Sequence, residues 1–186
     1  MNFPTKGAYS NSLNKPSSSL YQNPLLIKPF KSLPKEIGIC GAGTIGPDIG
    51  YYLKSALPSI KLYLLDIAEK PLKDAERRLS GYAKKAVDKK KMSAKKAAAV
   101  LENIYYTTNY EDLKNCDFVI EAATESIPLK QKIFAQIESL VKKDTIITSN
   151  TSSIPADRIF SEMKYQLNLL LMNHIQKCFA KHCSKR

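Results

Sequence analysis

Three glycines and an aspartate are the residues of this chain best placed to do chemistry. Gly41, Gly43 and Gly46 form G-x-G-x-x-G within IGICGAGTIGPDIG (Ile37 to Gly50), and Asp66 follows twenty positions after Gly46. Glycines at this spacing allow a tight turn at Gly41, a close backbone approach to a pyrophosphate at Gly43, and close helix–strand packing at Gly46. Free N–H groups at the positive end of a helix favour the anion. A carboxylate at Asp66 can accept from both ribose hydroxyls of a dinucleotide while repelling a 2′-phosphate. Ile67, not an arginine, follows it, so NAD is expected over NADP. The competing reading of Asp66 is a cap on the next helix. The expected cofactor turn is Gly41, Ala42, Gly43, Thr44, Ile45 and Gly46, with Asp66 as its acidic partner. Pro47 is tolerated in a first helical turn. Asp48 would be unfavourable beside a pyrophosphate, so it is expected to face solvent.

These residues need strands and helices to hold them, and the sequence supplies an alternating series. Ile37 to Cys40 reads as a buried strand, Thr44 to Ala56 as a helix stopped at Leu57-Pro58, and Leu62 to Leu65 as a second strand. Ala68 to about Lys91 is a long basic amphipathic helix, and Ser93 is a suitable N-cap for another through Leu101. Strands follow at Ile104 to Thr107, Asp117 to Glu121 and Thr145 to Thr148, with a helix over Leu129 to Val141. Strands alternating with helices at this spacing predict an α/β fold of Rossmann type: one domain with a doubly wound parallel sheet and helices on both faces. No internal repeat is visible.

Composition bounds the function classes. The chain has 186 residues, 44% hydrophobic and 25% charged, which suits one soluble domain with an apolar core. No run approaches the eighteen or so apolar residues of a membrane span. The net charge of +12 is concentrated. Lys70 to Lys96 holds eleven basic residues against Asp74, Glu76 and Asp88. Such a stretch is either a solvated helix face or an attractor of phosphates. No aromatic interleaving supports a nucleic-acid platform, so no nucleic-acid partner is expected. Cys40 and Cys116 fall in or beside buried strands, which suits reduced intracellular thiols. Residues 1–34 have no acidic residue, five prolines and six serines, and read as an irregular basic extension. The expected location is cytoplasmic. A mitochondrial matrix address is the alternative, although the leader has no arginine.

Two later stretches narrow the choice. DFVIEAATESIPLKQKIF (Asp117 to Phe134) and DTIITSNTSSIP (Asp144 to Pro155), in order after the glycine loop, closely resemble the NAD-binding domain of 3-hydroxyacyl-CoA dehydrogenases. The likeness runs from about Ile37 to Lys164, so residues 35–165 are taken as the NAD-binding domain. It implies that Glu125 and Lys130 lie near bound NAD, and that Ser152 reaches toward the nicotinamide and the substrate's acyl oxygen. Asn150 and Ser149 belong to the same turn. Against this, Ser and Asn in turns often serve only their own backbone. The likeness also gives the basic helix a partner, the phosphates of coenzyme A. Lys89 falls at the expected CoA-contacting position, with Lys90 and Lys91 leaving the register open. The implied activity is NAD-dependent oxidation of (3S)-3-hydroxyacyl-CoA to 3-oxoacyl-CoA in fatty-acid metabolism.

The likeness stops after Lys164. Residues 166–186 form a divergent basic tail in which Leu167 to Met172 is a candidate sixth strand, followed by irregular or helical chain. His174 lies within one residue of the implied catalytic base, but Ile175 and Gln176 replace the aromatic pair that should follow. Arg186 stands where the partner Glu is due. The chemistry needs a neutral His to take the 3-hydroxyl proton and a carboxylate to orient it. The chain alone is therefore expected to bind NAD with little or no turnover, with a homodimer or a partner chain supplying the absent helical domain. His174, Cys178 and His182 recur at i, i+4 and i+8, but the spacing matches no structural zinc pattern and no metal is expected. An altered reading frame beyond residue 165 or a genuine variant would each explain the tail.

Overall fold

The computed structural model describes residues 33–161, residue 163 and the backbone of 169–171. The strands are β1 Glu36–Cys40, β2 Lys61–Leu65, β3 Ile104–Thr107, β4 Phe118–Glu121, β5 Ile146–Ser149 and β6 Leu169–Leu171. The helices are α1 Gly46–Ala56, α2 Glu69–Asp88, α3 Ala94–Leu101, α4 Ile127–Leu140 and the short α5 Ala156–Ile159. Among the described residues the six strands form one sheet in the order β3-β2-β1-β4-β5-β6. Every pairing is parallel. The order runs outward one way from β1 and the other way from β4, so the chain reverses direction between these two central strands. In such sheets the ligand crevice opens at the carboxyl ends of the strands flanking that reversal.

Strand alternation divides the apolar residues between two cores. Ile37, Ile39, Leu62 and Leu64 face Leu53 of α1 and Leu72 and Ala75 of α2. Cys40, Val119 and Ile147 face Ile133, Phe134 and Ile137 of α4, with Phe160 and Met163 beyond. This is the Rossmann-type arrangement expected from sequence, with both sheet faces covered. Gly38 has a packing reason of its own, since a Cβ there would lie 2.8 Å from Leu113 Cδ2. Leu113 belongs to a single 3₁₀ turn, Tyr110–Leu113, which with α5 is absent from the sequence reading. Four residues are too few to show a helical period.

Several boundaries move, each for a local reason. Helix α1 begins at Gly46 instead of Thr44, and α4 at Ile127 instead of Leu129, each with a proline in its first turn. Helix α2 buries Leu72, Ala75, Leu79 and Ala83 along one stripe but stops at Asp88, short of Lys91. Lys89 is its C-cap, Lys90 takes φ 54°, and the N–H groups of Lys91 and Met92 turn back to the Ala86 carbonyl. Ser93 caps α3 as expected, accepting from the Lys96 N–H at 3.2 Å. Strand β6 falls within the expected Leu167 to Met172. Lys54, on α1, is buried and donates to the carbonyls of Pro58 and Ile60, which ties down the turn into β2. Cys40 and Cys116 are buried free thiols. Burial pushes both up in pKa, Cys116 to about 12. Among the described residues no helix is long and apolar enough to cross a membrane. His174, Cys178, His182 and Cys183 lie outside the described residues.

Candidate functional site

The carboxyl ends of β1 and β4 open into a cleft of about 520 Å³. Of the residues expected from sequence, Gly41, Gly43, Thr44, Ile45, Asp66, Glu125, Lys130 and Asn150 line it. Gly41 has φ +114°, and a Cβ there would sit 2.6 Å from the Ala122 carbonyl oxygen at the end of β4. Only glycine lets the loop leave β1 so close to its neighbour. A Cβ on Gly46 would fall 1.8 Å from the Gly41 carbonyl oxygen, so Gly46 closes the loop on itself. The close helix–strand packing expected of Gly46 is carried chiefly by Gly50, whose added Cβ would meet Leu62 Cδ2 at 2.9 Å. At Gly43 nothing lies within 4 Å, which leaves the loop open toward the cleft. No side chain caps α1, so its first turn is not closed off from an anion by a cap. An open cradle at an uncapped helix start fits a pyrophosphate.

Asp66 is held by the backbone through both oxygens and does not cap α2. Its Oδ2 accepts the Ala42 N–H at 2.9 Å, and its Oδ1 accepts the N–H of Ala68, the N-cap residue of α2, at 3.1 Å. A carboxylate has about four acceptor positions, so roughly two remain for ribose hydroxyls. Ala42 is buried and serves through that N–H, not by lining the cleft. Tyr110, which the sequence reading missed, also lines the cleft. Burial first, then the neighbouring Cys40 and Asp66, push its hydroxyl up to about 12, so at neutral pH it is a protonated donor.

The opposite side of the cleft is built from side chains. Lys130 Nζ donates to both oxygens of Glu121, at 2.7 and 2.9 Å, with both side chains almost wholly buried. Glu121 also accepts from the Ala123 N–H at 2.7 Å and from Ser149 Oγ at 2.5 Å. Glu125 lies 3.5 Å from Lys130 and accepts from Thr151 Oγ1 at 3.0 Å. Two loops, the one after β4 and the one after β5, are thereby laced together. Glu121 was not foreseen. The available signal was a carboxylate ending the apolar strand F-V-I-E, a position that burial makes untenable without a partner.

Other expected residues lie elsewhere. Ser152 is exposed in the turn after β5 and is not among the cleft-lining residues, whereas its neighbour Thr151 is buried. Lys89 is exposed at the end of α2. His174 lies outside the described residues. Asp48 faces outward as expected but is not left to solvent, since Arg78 and Tyr82 both donate to its Oδ1. Among the described residues no three His, Cys, Asp or Glu gather as a metal site would require.

Comparison with known proteins matches this geometry. The family model for the 3-hydroxyacyl-CoA dehydrogenase NAD-binding domain covers residues 36–176. The fatty acid oxidation complex subunit alpha of Colwellia psychrerythraea is 33% identical over 135 residues, which is 73% of this chain and 18% of that protein. The crystal structure of (S)-3-hydroxybutyryl-CoA dehydrogenase from Ralstonia eutropha superposes with a TM-score of 0.70 at 31% identity, covering 75% of this chain and 48% of that one. For 3-hydroxybutyryl-CoA dehydrogenase from Escherichia coli the values are 0.72, 27%, 75% and 29%. The chain thus spans less than half the length of these relatives. Glycine loop, Asp66, sheet order and family match agree, and the chain belongs to the 3-hydroxyacyl-CoA dehydrogenase family, whose NAD-binding domain it carries.

Proposed function

We propose that this chain holds NAD in the β1–β4 cleft for the oxidation of (3S)-3-hydroxyacyl-CoA to 3-oxoacyl-CoA. The observation that supports this is Asp66 bonded to Ala42 inside the glycine loop, which sets a carboxylate with spare acceptor positions beside the open start of α1. The loop N–H groups of Gly43 to Gly46 would hold the pyrophosphate and Asp66 the adenosine ribose. Bound NAD supplies the hydride acceptor. Glu125, Lys130 and Asn150 border the nicotinamide end, and Ser152 acts there if its exposed turn folds inward on the acyl-CoA. Lys89 and the basic residues around it would meet the phosphates of coenzyme A. His174, inside the span that the family model matches, is the candidate base.

Ile175 and Gln176, in place of the aromatic pair that the resemblance implies after His174, favour a second reading in which the chain is an NAD-binding module that reaches full activity only with a partner chain or a second copy. NADH fluorescence titration and an acetoacetyl-CoA reduction assay separate the two. Asp66→Ala should weaken NADH binding at least about tenfold, as the loss of a charged hydrogen-bond acceptor implies. Family-like turnover by the purified chain alone would rule out the module reading. Wild-type protein that binds no NADH would rule out both.

A further inference from the structure

The sequence leaves one feature of the phosphate loop unexplained, an acid in the first turn of the very helix that should receive a pyrophosphate. Asp48 is the acidic residue of α1's first turn. Alone it would suit the helix dipole, but it competes electrostatically with an incoming anion. The structure brings a cation to it from thirty residues away. Arg78 Nη2 donates to Asp48 Oδ1 at 3.1 Å and to the Thr44 carbonyl oxygen, inside the glycine loop, at 2.5 Å. Tyr82, one turn further along α2, donates its hydroxyl to the same Asp48 oxygen at 2.9 Å, and its ring meets Tyr51 edge-on at 5.3 Å.

This arrangement differs from the other ion pairs of α2. Glu69–Lys73 and Asp74–Arg77 are local pairs on an exposed helix face, worth little. Arg78 is more enclosed at 31% side-chain exposure, and its Nε is buried without a hydrogen-bond partner. It joins two helices and a loop carbonyl, and both Thr44 and its neighbour Ile45 line the cleft.

We propose that Arg78 is a positioning residue for the cofactor, which neutralises Asp48 and fixes the Thr44 carbonyl so that the start of α1 can accept a pyrophosphate. The inference rests on the NAD-binding reading of the cleft. It makes cofactor affinity depend on a charge balance between α1 and α2, and not on the glycine loop alone.

The test is NADH fluorescence titration of the full chain, at low and high salt, with thermal melting run alongside. Arg78→Gln should weaken NADH binding about tenfold at low salt, because Asp48 is left uncompensated near the diphosphate. Asp48→Asn alone should leave affinity unchanged or tighten it about threefold, since Arg78 then faces the anion unopposed. Adding Asp48→Asn to Arg78→Gln should recover most of the lost affinity. A purely structural clamp would behave differently: Asp48→Asn would weaken binding as Arg78→Gln does, and the double variant would recover nothing. Either of those results overturns the proposal. If Arg78→Gln does not fold, the sign of the Asp48→Asn effect decides. Asp66→Ala serves as the reference. Loss of binding there with no effect of Arg78→Gln rejects the positioning role of Arg78 but keeps the NAD reading, and wild-type protein that binds no NADH rejects both.

Discussion

The two sides of the cleft are built on different physical plans. On the β1–β2 side, backbone N–H groups and one partly buried carboxylate face the cleft, and the loop is shaped by Gly41 and Gly46, which admit no Cβ. On the β4–β5 side, a buried Lys–Glu pair and the hydroxyls of Ser149 and Thr151 do the shaping. The first plan places its cost in conformation and leaves N–H donors of the loop and spare lone pairs of Asp66 for a ligand. The second places its cost in desolvation, and its groups are already satisfied by one another. Substitutions on the first side should therefore change binding more than stability, and substitutions on the second should change stability first.

The sharpest way to break that contrast is Glu121→Ala. It leaves the Lys130 ammonium buried without its main partner, and stability should fall by about 3–5 kcal/mol, measured by urea denaturation. Replacing both residues, Glu121→Leu with Lys130→Met, should recover much of that loss, because the desolvation penalty disappears with the charges. A single variant no less stable than wild type would mean that water reaches the pair. Ser149→Ala should come next, at about 1.5–3 kcal/mol for a hydrogen bond to a buried charged acceptor. It would also loosen Thr151, whose N–H donates to Ser149 Oγ at 3.3 Å. Asp66→Ala belongs to the other plan. Its stability cost should be about 1–2 kcal/mol, for two hydrogen bonds to a partly exposed carboxylate, despite the large loss of NADH affinity.

The same contrast explains which half of the site could be read from sequence. Gly41, Gly43, Gly46 and Asp66 act through spacing along one βαβ unit, and local spacing is what a sequence displays. The parallel sheet follows from the alternation of apolar strands with helices. Glu121, Lys130 and Ser149 meet only after β4, α4 and β5 are packed, with Ser149 twenty-eight residues beyond Glu121. The resemblance to a family points to Lys130 and Glu125, and the carboxylate ending F-V-I-E shows that Glu121 needs a partner without showing that the partner is Lys130. Asp48 shows the same limit, because Arg78 becomes its partner only when α2 lies along α1. Lys90 marks a third kind of miss, where a left-handed lysine ended α2 without the glycine that would announce the stop.

Cys40 lies beneath both sides, at the end of β1 and within the α4 core, and gives the smallest signal at neutral pH. Its thiol is pushed up from 9.0 chiefly by burial, then by the charge of Glu121, and Cys116 is raised likewise to about 12. In the unfolded chain these thiols ionise near their ordinary value, and in the folded chain they do not. The stabilising effect of keeping them neutral is therefore whole below pH 9 and is lost as pH rises from there toward the folded values. Tyr110 adds to the loss between its ordinary 10.0 and about 12. Urea midpoints should accordingly be flat in this respect from pH 7 to 8 and fall above pH 9. Mass spectrometry after iodoacetamide treatment at pH 8 should find Cys40 and Cys116 unmodified in native protein and modified in denaturant. Rapid native alkylation of Cys40 would mean that the cleft floor is open to solvent, and would place the β4–β5 side on the same exposed footing as the glycine loop.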